Sequence, residues 1–245
     1  MVMTRSHRTF IFRTVVRMAL PFIQTISFCM DPSEDPLSFR GKFLDMIKQE
    51  REDFEEGRIS SAVQIRANRM MVAYLFDDFE TAYSLLDIFK YMDQAVPTIE
   101  LVHCHFIRGM VCLAMAREGK NFHAHVRIAK KTMKSLKQWS TRSPHNCLGP
   151  RFTLEGEYAS LCGQVDKAYE KFTCAIALAK DAGNRFNSGV ANERLGYHLL
   201  RFGQRQRAEI YLRSACRSYE DWKAMAKAEV LKSKMNAMFP TSSLA

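Results

Sequence analysis

Four histidines are the residues of this sequence whose type and spacing first suggest chemistry. They form two pairs, His103 with His105 and His123 with His125, and Cys104 lies between the members of the first pair. Imidazole and thiolate groups bind zinc, but a folded zinc site usually needs four converging ligands. Residues two apart on a helix point about 200° from each other, so each pair can supply at most one ligand. We therefore predict no metal site.

A run of acidic residues before Gly57 is the next candidate, because paired carboxylates can act as general acid and general base. No phosphate-binding Gly-x-x-x-x-Gly-Lys-Ser/Thr motif, kinase motif or Gly-x-Ser-x-Gly motif occurs in the chain. The run is more simply a solvated helix face, and we predict neither catalytic activity nor a cofactor. Its members are Glu50, Glu52, Asp53, Glu55 and Glu56.

A basic stretch is a candidate docking site for a partner. From Lys120 to Arg151 the chain has eight Lys or Arg residues and no acid. On a helix Arg127, Lys130, Lys131 and Lys134 fall within about 100° of one another. The predicted site consists of Arg127, Lys130, Lys134 and Lys137. These residues would dock an acidic or phosphorylated protein segment, and the alternative is a solvated helix face. Nucleic acid is the least favoured partner, because no aromatic residues alternate with the basic ones for base stacking.

A polar stripe near the C-terminus is a second candidate site for a protein or peptide partner. Glu193, Tyr197 and Arg201 recur at four-residue intervals beside Asn192, so they share one helix face. Such residues can hydrogen-bond an extended peptide, and Tyr197 would supply contact area. Alternatively, Asn192 and Glu193 satisfy neighbouring backbone groups or pair with nearby arginines.

Helical hairpins would position these residues. Two hairpins between Arg151 and Trp222 turn at residues 162–164 and 202–204, and both carry small residues at the same offsets from the turn. Small residues let two antiparallel helices cross closely, because larger side chains would hold the backbones apart. The small residues are Gly156, Ala168 and Ala175 in the first of the two hairpins and Gly196, Ala208 and Ala215 in the second.

Regular spacing extends the hairpins towards the N-terminus. Alanines at positions 82, 124, 168 and 208 each lie near the start of a returning helix, at nearly equal separations along the chain. No region alternates in the manner of strands. We therefore predict an all-α fold, a right-handed tetratricopeptide-like helical repeat array of about four hairpins with a C-terminal capping helix. The predicted parts are an N-terminal helix and linker (1–36), the repeat domain (37–240) and a tail (241–245).

Composition bears on location. Residues 1–30 contain four arginines and no acid, which an N-terminal helix kinked at Pro21 explains better than an organelle presequence or a signal peptide. The apolar run after Arg17 is too short to span a membrane. Seven cysteines without framework spacing favour a reducing compartment, so we predict a cytoplasmic protein. The formal net charge of +10 favours an acidic partner.

Three short segments follow one another in the C-terminal third. They are Cys174-Ala175-Ile176 with Ala179, then Ala191-Asn192-Glu193-Arg194-Leu195, then Tyr211-Leu212 with Ala215, Tyr219 and Trp222. Their order resembles the helical repeat region of large multidomain signalling proteins. Those proteins combine a kinase-like domain and an AAA-type ATPase with sensor domains and a histidine kinase or nucleotide cyclase. Lys223 stands where that pattern usually has Gly, so the turn after Trp222 is expected to differ.

The resemblance covers Ser143–Pro240 and, more weakly, Phe76–Trp139. It implies a non-catalytic scaffold that mediates protein–protein interaction in intracellular signal transduction, as a segment or shortened relative of such a multidomain protein. The alternative is a piece of a signalling enzyme, a histidine kinase, ATPase or cyclase, whose catalytic domains lie outside this chain.

Overall fold

The computed structural model describes residues 5–92, 99–119 and 121–240. The regular structure of these residues is helical, and their pairing of β type is limited to an isolated bridge between Arg40 and Asp45. The predicted all-α class is therefore confirmed. The chain divides into two compact units, Met1–Asp93 and Gln94–Ala245. The predicted tail, 241–245, lies outside the described residues.

The first unit contains five helices within the described residues. The second helix begins at Met46, where Asp45 caps it by accepting a hydrogen bond from the Lys48 backbone N–H at 2.9 Å. Short 3₁₀ segments lie at Pro36–Ser38 and Leu85–Ile88. The helices are α1 (Arg5–Met30), α2 (Met46–Glu55), α3 (Ile59–Leu75), α4 (Phe79–Ser84) and α5 (Phe89–Met92).

Helix α1 belongs to this unit, so the structure does not divide at the predicted boundary after residue 36. The Gln24 side-chain oxygen accepts hydrogen bonds from the backbone N–H groups of Phe43 and Leu44, at 2.8 and 3.1 Å. The Thr25 hydroxyl lies 3.1 Å from the Asn68 side-chain oxygen on α3. These buried polar contacts tie α1 to the residues that follow it.

The second unit is built from hairpins of nearly constant length. Helices α9 to α12 begin at positions 165, 185, 205 and 225, so their starts are evenly spaced along the chain. Pro144 begins the third helix of this unit, at a position where proline is favoured. The helices are α6 (Ile99–Arg117), α7 (Phe122–Ser140), α8 (Pro144–Leu161), α9 (Val165–Asp181), α10 (Arg185–Arg201), α11 (Arg205–Asp221) and α12 (Met225–Met238). We call α6–α7, α8–α9 and α10–α11 the second, third and fourth hairpins.

One turn geometry recurs at the ends of α8, α9, α10 and α11. Gly163, Gly183, Gly203 and Lys223 all lie in the left-handed region, with φ between 64° and 75°. In all four turns the next residue donates its backbone N–H to a carbonyl five residues earlier, at 2.8–2.9 Å. This is the hydrogen bonding of a Schellman cap. The expectation that the turn at Lys223 differs is therefore wrong.

The predicted close crossings are confirmed in the third and fourth hairpins. A Cβ atom added to Gly156 would lie 2.9 Å from the Phe172 ring, and one added to Gly196 would lie 2.5 Å from the Leu212 side chain. Phe172 and Leu212 each lie four residues after the predicted small residue, Ala168 or Ala208. The two hairpins therefore match position by position when Gly156 is aligned with Gly196, and we call this the glycine alignment.

The second hairpin departs from this register by one residue. Four residues separate α6 from α7, whereas three separate α8 from α9. The extra residue turns Ala124 outward, and His125, 1% exposed, takes the buried position that Ala168 and Ala208 occupy. Phe122, three residues before His125, is also turned outward and is 39% exposed. The buried positions of α7 are His125, Ala129, Thr132, Leu136 and Ser140.

Candidate interaction surfaces

The predicted polar stripe of α10 divides into a buried and an accessible part. Asn192 and Glu193 are buried, whereas Tyr197 is half-buried and Arg201 is exposed. The Asn192 amide donates to the Ser188 backbone carbonyl at 2.8 Å, so it satisfies its own helix. Only the second half of the stripe is available to a partner in this conformation.

Glu193 forms a buried ionic cluster rather than a binding site. The Tyr219 hydroxyl donates to one carboxylate oxygen at 2.6 Å, and the Lys227 ammonium donates to the other at 3.0 Å. The Glu193 and Lys227 side chains are 3% and 2% exposed. Removing charges from water is costly unless they are paired, so Glu193 offsets the buried charge of Lys227. Sequence analysis placed Glu193 in a partner site, whereas here it joins α10, α11 and α12.

Tyr197 and Arg201 remain at the surface of α10. The Arg194 guanidinium carbon lies 4.9 Å from the centre of the Tyr197 ring, which is a cation–π distance. Arg201 as a residue is exposed, but its Nη1 atom reaches inward and donates to the Ser160 hydroxyl at 3.2 Å. Partial removal of this guanidinium from water lowers the pKa of Arg201 to about 10. It therefore stays protonated at neutral pH.

Arg201 is one member of a polar cluster that links α6, α8 and α10. Arg117 donates to the Glu157 carboxylate at 2.7 Å, and one ring nitrogen of His198 lies 2.9 Å from the Ser160 hydroxyl. Burial lowers the pKa of His198, which favours its neutral form. Two arginines then face one carboxylate, so the cluster has a surplus positive charge. We call Arg117, Glu157, Ser160, His198 and Arg201 the inner polar cluster.

Of the inner polar cluster, only Arg201 is among the site residues predicted from the sequence. Arg117, Glu157 and Ser160 lie on α6 and α8, so no local spacing connects them with Arg201 on α10. His198 lies one helical turn before Arg201 but carries no motif that would single it out. The register of the hairpins could have revealed the cluster. Helix α8 contacts α6 and α10, which brings together residues near the C-terminal ends of these helices.

The basic residues of α7 form an exposed face. Arg127, Lys130, Lys134 and Lys137 are all exposed, as is Lys131 between them. Positions Ala129 and Leu136 lie on the buried side of the same helix. The predicted grouping on one accessible surface is therefore present. We call these five basic residues the basic face.

Most of this charge is not neutralised by neighbouring side chains. The Lys130 ammonium lies 5.2 Å from the centre of the Tyr158 ring, and a hydrogen bond with Tyr158 raises the pKa of Lys130. Within the described parts of the chain, no ion pair joins Arg127, Lys134 or Lys137 to another side chain. These three side chains are therefore available to an anionic group from outside.

The paired histidines lie in packed surroundings. His105 packs edge-on against Trp139, with ring centres 4.9 Å apart, and His103 lies 6.0 Å from the Phe186 ring. His125 is buried on α7, whereas His123 is exposed beside Phe122. In the part of the chain that the structure describes, no three His, Cys, Asp or Glu side chains are grouped to hold a metal ion.

The acidic run of α2 is not a solvated face throughout. Asp53 and Glu50 are buried, and Glu50 accepts from Arg66 and Arg69, each at 2.6 Å. Asp53 accepts from Arg17 at 2.6 Å and also from Ser61. Burial alone would raise the pKa of Asp53, but the hydrogen bonds it accepts outweigh burial and lower it. These two acids tie α2 to α1 and α3, and the others stay near water.

Comparisons with known proteins add no family to this description. No family model, no curated protein and no solved structure matches the chain. Among the described residues, no helix has the length and apolar character that crossing a membrane requires.

Proposed function

We propose that this chain is a non-catalytic scaffold that binds an acidic segment of a partner protein on the basic face of α7. The observation that carries the proposal is the set of five exposed basic side chains on one helix face, with no acid between residues 120 and 151. Charged groups at an exposed interface steer association and orient the partner. An acidic or phosphorylated segment supplies the complementary charge.

We further propose that the hairpins are repeats of the tetratricopeptide type, arranged as a right-handed array. Support comes from the third and fourth hairpins, which share the same glycine crossing and the same turn at matching positions of the glycine alignment. Repeat arrays of this kind offer long surfaces for protein partners. In such an array the inner polar cluster, with Arg201 and neighbouring Tyr197, would form a second contact for an acidic side chain.

The setting in intracellular signal transduction is also a proposal, and so is a cytoplasmic location. The signalling setting rests on the resemblance of Ser143–Pro240 to the repeat region of multidomain signalling proteins. In that setting the chain would hold a partner or a neighbouring domain, and catalysis would take place elsewhere.

Charge reversal tests the proposed docking face. The triple variant Lys130→Glu, Lys134→Glu and Lys137→Glu should keep its helicity by circular dichroism. Its affinity for a fluorescent glutamate-rich peptide should fall about tenfold in anisotropy titrations, since each exposed pair contributes roughly 0.5 kcal/mol. Wild-type binding should weaken as salt rises.

A matched control keeps the same change in net charge but moves it off α7. Lys167, Lys180 and Arg217 are exposed residues of α9 and α11, and their reversal to Glu should leave binding nearly unchanged. A phosphoserine version of the peptide shows whether phosphate strengthens the contact. Equal loss in both triple variants would mean that net charge, and not the basic face, determines binding.

A further inference from the structure

The fourth hairpin contains an aromatic ring at a position that the third hairpin leaves empty. Tyr219 is fully buried, and its ring lies 2.6 Å from where a Cβ atom on Gly189 would be. Three residues later, Trp222 packs against Phe186, with ring centres 5.1 Å apart. Together Tyr219 and Trp222 fill the space beside Gly189 and Phe186, between α10 and α11.

In the third hairpin the equivalent residues are small. In the glycine alignment, Gly149 replaces Gly189, Ala179 replaces Tyr219 and Ala182 replaces Trp222. A Cβ added to Gly149 would meet only the Asn187 amide nitrogen, at 4.0 Å, so the space beside it is open. A cavity of about 260 Å³ lies there. Its walls include Leu148, Gly149, Leu178, Ala179, Ala182 and Asn187.

The second hairpin fills the same position. When His125 is aligned with Ala168, Leu136 falls opposite Ala179 and Trp139 falls opposite Ala182. Leu136 is fully buried, and Trp139 packs on His105. The hairpins on both sides of the third therefore supply large side chains where the third has two alanines.

Two polar side chains, Asn184 and Asn187, line the cavity besides His145 and Asp181 at its mouth. Asn187 is 8% exposed, and its side-chain oxygen is buried without a hydrogen-bond partner among the described residues. In the glycine alignment its equivalent is Lys227 on α12, which is bound to Glu193 beside the Tyr219 hydroxyl. An unsatisfied buried acceptor is costly, and a donor from a ligand would satisfy it.

We infer that this cavity binds a phenol-type ring of the size of a tyrosine side chain. The ring would pack against Leu148, Leu178 and Ala179, and its hydroxyl would donate to the Asn187 side-chain oxygen. The volume is sufficient, since an apolar cavity of about 150 Å³ can take up benzene. Exposed residues at the mouth, His145 and Asp181, leave a path from solvent. The inference does not depend on the proposed docking face of α7.

Titration of the full chain with p-cresol and with toluene, followed by NMR, tests the site. We expect p-cresol to shift the resonances of Ala179 and Ala182 and to bind about fivefold more tightly than toluene, the worth of one hydrogen bond. In Asn187→Leu the two affinities should become equal. Equal affinities in the wild-type chain would contradict the assigned hydrogen bond.

Filling the cavity from inside gives the second test. Ala179→Tyr should weaken p-cresol binding at least tenfold, whereas Ala177→Tyr, on the exposed face of the same helix, should leave it unchanged. If Ala179→Tyr does not fold, Ala182→Leu at the exposed mouth serves the same purpose. Persistence of p-cresol binding in the folded cavity variants, or no binding of either compound to the wild-type chain, would overturn the inference.

A third titration separates the two sources of a phenol ring. If N-acetyltyrosinamide binds at least as tightly as p-cresol, the ring belongs to a tyrosine of a partner peptide. If only p-cresol binds, the ligand is a free small phenol.

Discussion

The third and fourth hairpins share their turn and their glycine crossing, but their interiors differ. Both cross at a glycine that faces a large side chain, Gly156 with Phe172 and Gly196 with Leu212. Both have a left-handed glycine in their internal turn. Inside, the fourth hairpin carries Glu193 and Tyr219 in contact with Lys227. At the equivalent positions the third hairpin has Thr153 and Ala179, and Asn187 on α10 takes the place of Lys227.

The comparison separates two kinds of information in the sequence. Turn residues and small crossing residues determine the path of the helices, because they set where each helix ends and how closely two helices approach. The remaining interior positions can then vary between hairpins without changing that path. In the fourth hairpin they form an ionic cluster, and in the third they leave a cavity.

The largest predicted effect concerns the ionic cluster of the fourth hairpin. Glu193→Ala should lower the free energy of unfolding by about 3–5 kcal/mol, because it leaves the buried Lys227 charge without its carboxylate. Urea unfolding measures the change. At the equivalent position of the third hairpin, Thr153→Ala should cost about 1 kcal/mol, the worth of one hydrogen bond to the Gly149 carbonyl.

A double variant distinguishes charge from packing at this cluster. Glu193→Leu combined with Lys227→Met should recover most of the lost stability, because a buried ion pair can be replaced by apolar residues at little cost. If the double variant is as unstable as Glu193→Ala, the cluster matters for its shape and not for its charge pairing.

A smaller effect is predicted for the feature that both hairpins share. Gly196→Leu should cost about 1–3 kcal/mol or more, because its Cβ would lie 2.5 Å from Leu212 and 3.3 Å from the Ala208 backbone carbonyl. Gly156→Leu should cost a similar amount against Phe172. Gln206→Leu, at an exposed position of α11, is the control. If the melting temperatures of Gly156→Leu and Gly196→Leu differ widely, the two crossings are not equivalent.

The hairpins and their crossings are predictable from the sequence, because the residues that form them lie close together along the chain. Gly163 and Gly203 mark turns in any context, and Gly156 and Gly196 recur at a fixed distance from them. The prediction for the second hairpin was displaced by one residue, because Ala124 was aligned by type and the extra turn residue was not recognised. His125, a polar residue, occupies the buried position instead.

Polar residues were the main source of error at the candidate sites. Glu193, Glu50 and Asp53 were assigned to accessible faces, yet all three are buried. Each has at least one partner on another helix, as Lys227 is for Glu193, and local spacing does not reveal those pairings. Spacing places a residue on a helix face, whereas burial depends on which helix packs against that face. The exposed basic face of α7 is predictable because its residues lie on one face of a single helix.

The smallest predicted effect concerns the last turn, where Lys223 replaces the glycine of the three turns before it. Lys223 has φ of 68° and no special support from its side chain, which is exposed. A left-handed conformation costs an ordinary L-residue roughly 1–2 kcal/mol relative to glycine. Part of that cost is offset, because glycine loses more backbone freedom on folding. Lys223→Gly should therefore raise the free energy of unfolding in urea by about 1 kcal/mol, the net of these two effects. Gly203→Lys should lower it by a similar amount, since a Cβ there meets no atom within 4 Å and only the backbone conformation is tested. If Gly203→Lys leaves the free energy of unfolding unchanged, the turn glycines do not maintain the even spacing of the helices. The close crossings alone would then have to maintain it.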